Sequence, residues 1–373
     1  MGRPPGARPF RSAGRSGAPY LILKNMHSGR KQPHAGRWGE RALGELAVLK
    51  QIRARAVHAP RGGLRLGIGD DCALLRVGAG EELAVTTDLS ISGRHFRLEW
   101  QTPESIGHRT LARGLSDLAA MGARPVAAFL SVGLPKDLLQ DQKKNWLERF
   151  LDGFFALADA FQTPLAGGDL AESPIVVADI VLAGAVRRGK ALLRSGARPG
   201  DLLYVTGTLG GAAAGLARLA QLAASARPAR SRPLRIPGHL ESLLAPHLYP
   251  QPRVAQGLWL ARRALSTAAI DLSDGLSTDL AHQCEESHVA AEVDASALPI
   301  HSAATLEQAL HGGEDYELLF TAPPAARVPR SIAGVPVTRI GRMVRPRKGR
   351  PQVALVTVNR TRPLARQGWE HFS

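Results

Sequence analysis

The chain has 373 residues, is 44% hydrophobic and carries a formal net charge of +16, enough apolar material for two domains with separate cores. Its longest apolar run, residues 175–186, is interrupted by Asp179 and Gly184 and falls short of the roughly 20 residues a membrane helix needs, which excludes a helical transmembrane span. Two cysteines, Cys72 and Cys284, lie too far apart for a zinc or redox motif, so a reducing, cytoplasmic setting without disulfides is expected.

The positive charge is segregated. Residues 1–38 carry Arg3, Arg8, Arg11, Arg15, Lys24, Arg30, Lys31 and Arg37 without an acid, and further basic runs cover residues 218–235 and 342–350. These stretches are rich in Pro, Gly and Ser, a composition that cannot bury enough apolar surface to fold. They read as solvated decoration, with 1–38 a disordered tail, and not as a nucleic-acid footprint.

In chain order, a helix is predicted over residues 40–57 from the spacing of Leu43, Leu46, Ala47, Leu49 and Ile52. Strands follow at 66–68 and 83–87. A helix over 103–121 begins after Thr102 with Pro in its first turn and stops at Gly122. A strand at 126–134, a helix over 138–161 and a strand at 175–186 complete the first half. After the Pro199-Gly200 turn come a strand at 202–206 and a helix of small residues after Gly210. Helices near 239–245 and 253–265 and strands at 268–271, 290–293, 317–321 and 337–340 follow. Interleaved strands and helices with a boundary near residue 195 predict two α/β halves, 39–195 and 196–373.

Aspartates recur at the ends of these strands and in tight turns: Gly69-Asp70-Asp71, Thr86-Thr87-Asp88, Leu115-Ser116-Asp117, Gly167-Gly168-Asp169 and Asp271-Leu272-Ser273-Asp274. One Asp after Gly is ordinarily a turn residue. Five such segments, if gathered, would repel one another unless cations neutralised them. Hard oxygen donors with Thr and Ser hydroxyls nearby select Mg²⁺, which typically bridges to substrate phosphates, so phosphoryl transfer is the inferred chemistry. The Walker-type phosphate loop and the protein-kinase signature are both missing. Gly207 to Gly211, opening a helix, is a weaker phosphate-binding candidate, because Gly-rich turns more often serve packing.

Read in order, Gly-Ile-Gly-Asp-Asp-Cys-Ala, Thr-Thr-Asp, Leu-Ser-Asp-Leu-Ala-Ala-Met-Gly, Gly-Gly-Asp, Arg-Ser-Gly-Ala-Arg-Pro-Gly-Asp, Val-Thr-Gly-Thr-Leu-Gly, Ile-Asp-Leu-Ser-Asp-Gly-Leu, Gly-Gly-Glu-Asp-Tyr-Glu-Leu and Gly-Trp-Glu-His-Phe resemble the thiamine-monophosphate kinase family, from about Gly39 to Phe372. That family belongs to the aminoimidazole-ribonucleotide-synthetase-like ATP-binding superfamily. The resemblance implies a two-domain α/β (α+β type) architecture. Its N-terminal half would dimerise and bind ATP and Mg²⁺, and its C-terminal half would close the active site. It implies ATP-dependent phosphorylation of thiamine monophosphate to thiamine diphosphate by direct in-line transfer, in a homodimer with no membrane or nucleic-acid partner.

Carried over motif by motif, Asp71, Thr87, Asp88, Asp117, Asp169, Asp271 and Asp274 resemble Mg²⁺ ligands, with Thr86 an additional candidate. Gly168, Arg194 and Ser273 match ATP-contacting positions, and His95, Glu314 and Trp369 match substrate-contacting ones. Leu151 stands where some family members have a Tyr that contacts ATP, so that contact is not carried over. Rival readings are a selenophosphate synthetase or hydrogenase-maturation ATPase of the same superfamily, or a nucleic-acid binder acting through the basic tail.

Overall fold

The computed structural model describes residues 45–56, 62–140, 145–225 and 234–370. The basic tail, most of the basic linker at 226–233 and His371 and Phe372 of the last motif lie outside the described residues. Helix α1 (Glu45–Ala56) lies within the 40–57 reading, whose residues 40–44 and 57 lie outside the described residues.

The first sheet has the order β1-β4-β2-β3, with β1 (Glu81–Ile91), β2 (Arg124–Leu134), β3 (Leu165–Glu172) and β4 (Val177–Arg187). Neighbours are antiparallel except β2 and β3. Helices α2 (Pro103–Ala120) and α3 (Trp146–Ala160) pack on it. The Thr102 hydroxyl caps α2 by accepting from Ser105 N at 3.3 Å, Pro103 needs no donor in the first turn, and Gly122 at φ +64° follows the helix end. The 138–161 reading is divided into a short helix, Lys136–Gln140, and α3, which starts after Asn145 in the left-handed region. Gly167-Gly168-Asp169, read as a turn, lies inside β3; a parallel partner is supplied by distant chain and leaves no local alternation to read.

The second sheet runs β11-β10-β7-β9-β5-β8-β6, with the short strand Ser331–Ile332 on β9. Its strands are β5 (Leu202–Thr206), β6 (Ala268–Asp271), β7 (Ala290–Asp294), β8 (Leu318–Ala322), β9 (Val335–Val344), β10 (Val353–Val356) and β11 (Thr361–Pro363). Helices α4 (Gly211–Ser225), α5 (Glu241–Leu248), α6 (Val254–Arg263), α7 (Leu276–Glu286) and α8 (Leu306–His311) complete this half. The boundary read near residue 195 falls in the connection between the two sheets.

Helix α2 positions the site. It is buried along almost its whole length, between the first sheet, α3, α6 and β6. One apolar core therefore runs through both halves, from Leu115, Phe150 and Ile180 to Leu260, Ala269 and Phe320. Polar groups swallowed with α2 must find partners. His108 donates Nε2–H to the Pro250 carbonyl at 2.8 Å, and burial lowers its pKa to about 4. The unfolded chain takes up this proton near pH 6.5 and the folded chain only near pH 4. Stability present above pH 6.5 is therefore expected to fall by roughly 3 kcal/mol across that window. His108→Gln keeps a donor without titrating, so its urea-denaturation midpoint should decline less steeply with pH; parallel curves for the two proteins would refute the assignment.

Candidate active site

Alternation along β1 turns Thr86, Asp88 and Ser90 toward α2 and leaves Thr87 on the opposite, exposed face. Helix α2 meets them with Arg113 and Asp117, one turn apart. The Thr86 hydroxyl donates to Asp117 Oδ2. Arg113 forks onto Asp88, with Nε at 2.7 Å from Oδ2 and Nη2 at 2.6 Å from Oδ1.

Asp271 ends β6, and its Oδ2 accepts the Ser116 hydroxyl at 2.6 Å, which brings it beside Asp117. Burial first, and then the charge of Asp271, push the Asp117 carboxyl up to about 7, against the hydrogen bond from Thr86. Burial also raises the pKa of Asp271, against the Ser116 hydroxyl and the charge of Arg194, with Asp274 adding to the rise. Asp274 stands in the turn leading into α7. Its N–H and that of Gly275 donate to the buried Asp279 Oδ2 at 3.1 and 3.0 Å. Trp369 N–H donates to the Asp274 carbonyl at 3.1 Å. A Cβ on Gly368 would lie 2.1 Å from that carbonyl oxygen, so only glycine lets the C-terminal segment lie on this turn.

Glu314 has φ +69°, a strained value for a residue with a side chain. Its Oε1 accepts from Arg109 Nη2 at 2.5 Å, and Oε2 lies 3.5 Å from His247 Nδ1. Burial alone would raise its pKa, but the charge of Arg109, then His247 and Arg113, hold the carboxyl well below the usual range. His95 Nδ1 accepts from Ile91 N–H at 3.0 Å, and the His95 carbonyl accepts from Arg109 Nη2 at 3.3 Å.

One cleft of about 830 Å³ is lined by Asp88, Arg113, Asp117, Asp271, Ser273 and Asp274 together with His95, His247, Glu314 and Trp369. Ala213, Leu216, Ala217 and Ala220 of α4 and Trp100 supply an apolar wall. Such a wall with a few convergent polar groups is the usual make-up of a small-molecule site.

Other predicted residues are not brought into this cleft. Asp71 and Asp169 are exposed, with Asp70 and Asp169 accepting from the backbone N–H groups of Asp71 and Leu170 at 3.0 and 2.8 Å. Gly168 is exposed at φ +142°, and a Cβ there would fall 1.8 Å from the Leu130 carbonyl oxygen, so close strand approach alone accounts for the glycine. Arg194 is outside the cleft lining, although its charge reaches Asp117 and Asp271. The weaker phosphate candidate at Gly207 to Gly211 is corrected: Asp315 Oδ2 accepts from Gly210 N at 2.5 Å and Oδ1 from Ala212 N at 3.0 Å, so a carboxylate already caps α4. Cys72 is exposed, whereas Cys284 is buried, which pushes its thiol up to about 12.

Sequence reading missed Arg109, Arg113 and His247. Arg109, Arg113 and Asp117 recur every fourth residue, the spacing of one helical face, and this was the available signal for the two arginines. His247 carries no local signal.

The donor set fits a hard divalent cation in kind and charge: Asp117 and Asp271 are forced together in burial, with Asp88 and Asp274 on the same cleft and the Thr86 hydroxyl beside them. Among the described residues, no group of three or more His, Cys, Asp or Glu is gathered around one point to hold an ion. Asp88 is instead engaged by Arg113.

Family models for the AIR synthase related protein match its N-terminal domain to residues 69–186 and its C-terminal domain to residues 198–354. Thiamine-monophosphate kinase of Escherichia coli (strain K12) is 39% identical over 346 residues, covering 89% of this chain and 99% of its own. The crystal structure of thiamine-monophosphate kinase from Stenotrophomonas maltophilia K279a is 41% identical with a TM-score of 0.68, covering 85% of this chain and 97% of that one. The structure of AaThiL complexed with AMPPCP and TMP is 26% identical with a TM-score of 0.66, covering 88% and 97%. Hydrogenase maturation protein HypE in complex with ATP, at 19% identity, 87% and 95% coverage and a TM-score of 0.66, shares the fold. With this identity sustained over nearly the full length of a curated relative, the chain belongs to the thiamine-monophosphate kinase family.

Proposed function

We propose that this protein transfers the γ-phosphoryl group of ATP directly to the phosphate of thiamine monophosphate, releasing thiamine diphosphate and ADP. The observation that carries the reading is the single cleft that Asp88, Asp117, Asp271 and Asp274 line together with His95, Glu314 and Trp369. Relatives named as thiamine-monophosphate kinases and a structural neighbour complexed with AMPPCP and TMP support it. An acceptor oxygen forms the new bond to the γ-phosphorus as the bond to the β-phosphate bridging oxygen breaks. The acceptor phosphate is already anionic at neutral pH, so catalysis rests on positioning and charge neutralisation, not on a strong base.

Asp88, Asp117, Asp271 and Asp274, with Thr86, would hold Mg²⁺, which when bound neutralises charge on the phosphates. Ser273 lies on the same wall, and Arg194 would oppose the triphosphate. His95 and Glu314 would orient the acceptor, and Trp369 would offer an aromatic face to the thiazolium cation. In this reading residues 39–195 form the ATP-binding, dimerising domain and 196–373 the domain that closes the site.

Asp71, Thr87, Asp169 and Gly168 belong in this reading to the N-terminal half's share of the Mg²⁺ and ATP site. Thr87 shares the outer face of β1 with Leu83, Val85 and Leu89, which are 49%, 59% and 45% exposed. Such an apolar strip on an edge strand supports pairing with a second copy. No described helix is long and apolar enough to cross a membrane, and both cysteines are free, which supports a cytoplasmic site of action.

The test is formation of ADP and thiamine diphosphate from ATP and thiamine monophosphate, with and without Mg²⁺ and with thiamine as the control acceptor, on protein whose mass in solution is measured in parallel. Metal-dependent product from the monophosphate alone, from a dimer, is expected. Folded protein that makes none would refute the reading, and a monomeric active enzyme would refute the dimer.

A further inference from the structure

Arg109 is the most thoroughly tied of the charged side chains along α2, and no role in the reaction has been given to it above. Its side chain is 6% exposed, and the guanidinium reaches three separate segments at once. Nη1 donates to the His247 carbonyl at 2.7 Å in α5 and lies 2.9 Å from His247 Nδ1. Nη2 donates to Glu314 Oε1 at 2.5 Å and to the His95 carbonyl at 3.3 Å. Two of these three partners, His95 and Glu314, are the polar residues of the proposed acceptor subsite. The third, His247, lines the cleft beside them and is tied in turn to Gln101 at 3.3 Å.

The surroundings explain why a permanent cation stands here. Glu314 combines a left-handed backbone with a carboxylate that must be held in one place. Burial, and then the charge of Arg109, keep His247 from protonating readily, so the imidazole contributes little countercharge. A guanidinium stays charged in burial where an ammonium or imidazole would lose its proton, and its fork can serve several acceptors together. Removing one arm of such a charge-assisted cluster leaves a partly buried carboxylate without its principal partner.

We infer that Arg109 is a positioning residue for the acceptor: it fixes the Glu314 carboxylate and the His95 turn in the geometry that receives thiamine monophosphate, and acts through them without touching the phosphates. The inference rests on the kinase reading above. It assigns Arg109 to acceptor binding and leaves ATP binding to other residues of the cleft.

The test is a double-mutant cycle with Arg109→Met, Glu314→Gln and the combination, read as KM and kcat for each substrate, with melting temperatures measured alongside and Arg109→Lys as the conservative variant. Arg109→Met is expected to raise KM for thiamine monophosphate at least ~10-fold, the effect of losing a charge-assisted hydrogen bond, while KM for ATP changes less than about twofold. Because Arg109 acts through Glu314, the double variant should be no worse than Glu314→Gln alone. Arg109→Lys, which keeps the charge but not the fork, should fall between wild type and Arg109→Met even if Arg109→Met folds poorly.

Independent, additive effects on acceptor KM, or equal rises in KM for both substrates, would overturn the inference while leaving the kinase reading intact. A Lys variant indistinguishable from wild type would overturn the fork argument. Wild-type enzyme that neither binds nor phosphorylates thiamine monophosphate would overturn both.

Discussion

Asp274→Ala is expected to fold and to lose turnover by on the order of 10²–10³-fold or more, the cost of removing one group that stabilises transferring charge. The fold should survive because the turn is held by its main chain. Asp274 N–H donates to Asp279 and its carbonyl accepts from Trp369, and neither bond needs the side chain. What disappears is a carboxylate on the cleft wall beside Asp271. Steady-state rates over a range of Mg²⁺ concentrations decide the matter: near-normal turnover at every concentration would remove Asp274 from the proposed ion site. Asp88→Ala should also abolish turnover but lower the melting temperature, since it strands the Arg113 guanidinium that now forks onto it.

The largest stability effect should come from a pair that does not line the cleft. Glu317 is buried; its Oε2 accepts from Arg253 Nε at 2.6 Å and from the Thr206 hydroxyl at 2.6 Å, and its Oε1 accepts from Arg253 Nη2 at 2.5 Å. The Thr206 oxygen accepts in turn from Leu318 N–H at 2.8 Å. This network ties α6, which packs on α2, to the centre of the second sheet. Glu317→Ala leaves a guanidinium desolvated without its partner, and a loss of about 3 kcal/mol or more is expected. The double variant Arg253→Met/Glu317→Leu removes both charges and fills the space, so it should recover at least half of that loss. Denaturant midpoints of the three proteins test this, and a double variant as unstable as Glu317→Ala would show that packing, not the stranded charge, sets the cost.

Most elements of the second half and the course of α2 were legible because their signals are local. A capping Thr, a Pro in the first turn and a Gly after the last define α2 without reference to anything distant. Helix α7 was not predicted: it begins at Leu276 directly after the Asp274-Gly275 turn, and its polar residues Ser277, Thr278, Asp279 and Gln283 are buried. Asp279, Ser277 and Thr278 find partners in the turn and the C-terminal segment, from Gly275 N–H, Gln367 N–H and Gly368 N–H, whereas the buried Gln283 amide has no hydrogen-bond partner among the described residues. Strand β3 escaped because Gly167-Gly168-Asp169 has turn composition, and only its place beside β2 makes it a strand.

The candidate site divides in the same way. Residue type and recurrence in small, tight motifs marked Asp88, Asp117, Asp271 and Asp274 as groups that need a cation, and the ordered motifs carried the family resemblance. These are properties of short stretches of sequence. Only tertiary structure decided that Thr86 and not Thr87 meets Asp117 on α2, that a carboxylate occupies the glycine-rich helix start, and that Arg109 and Glu314, 205 residues apart, share a hydrogen bond. A charge's partner depends on which surfaces are buried against each other, and that is set by the packing of α2 between two sheets, information that no local spacing contains.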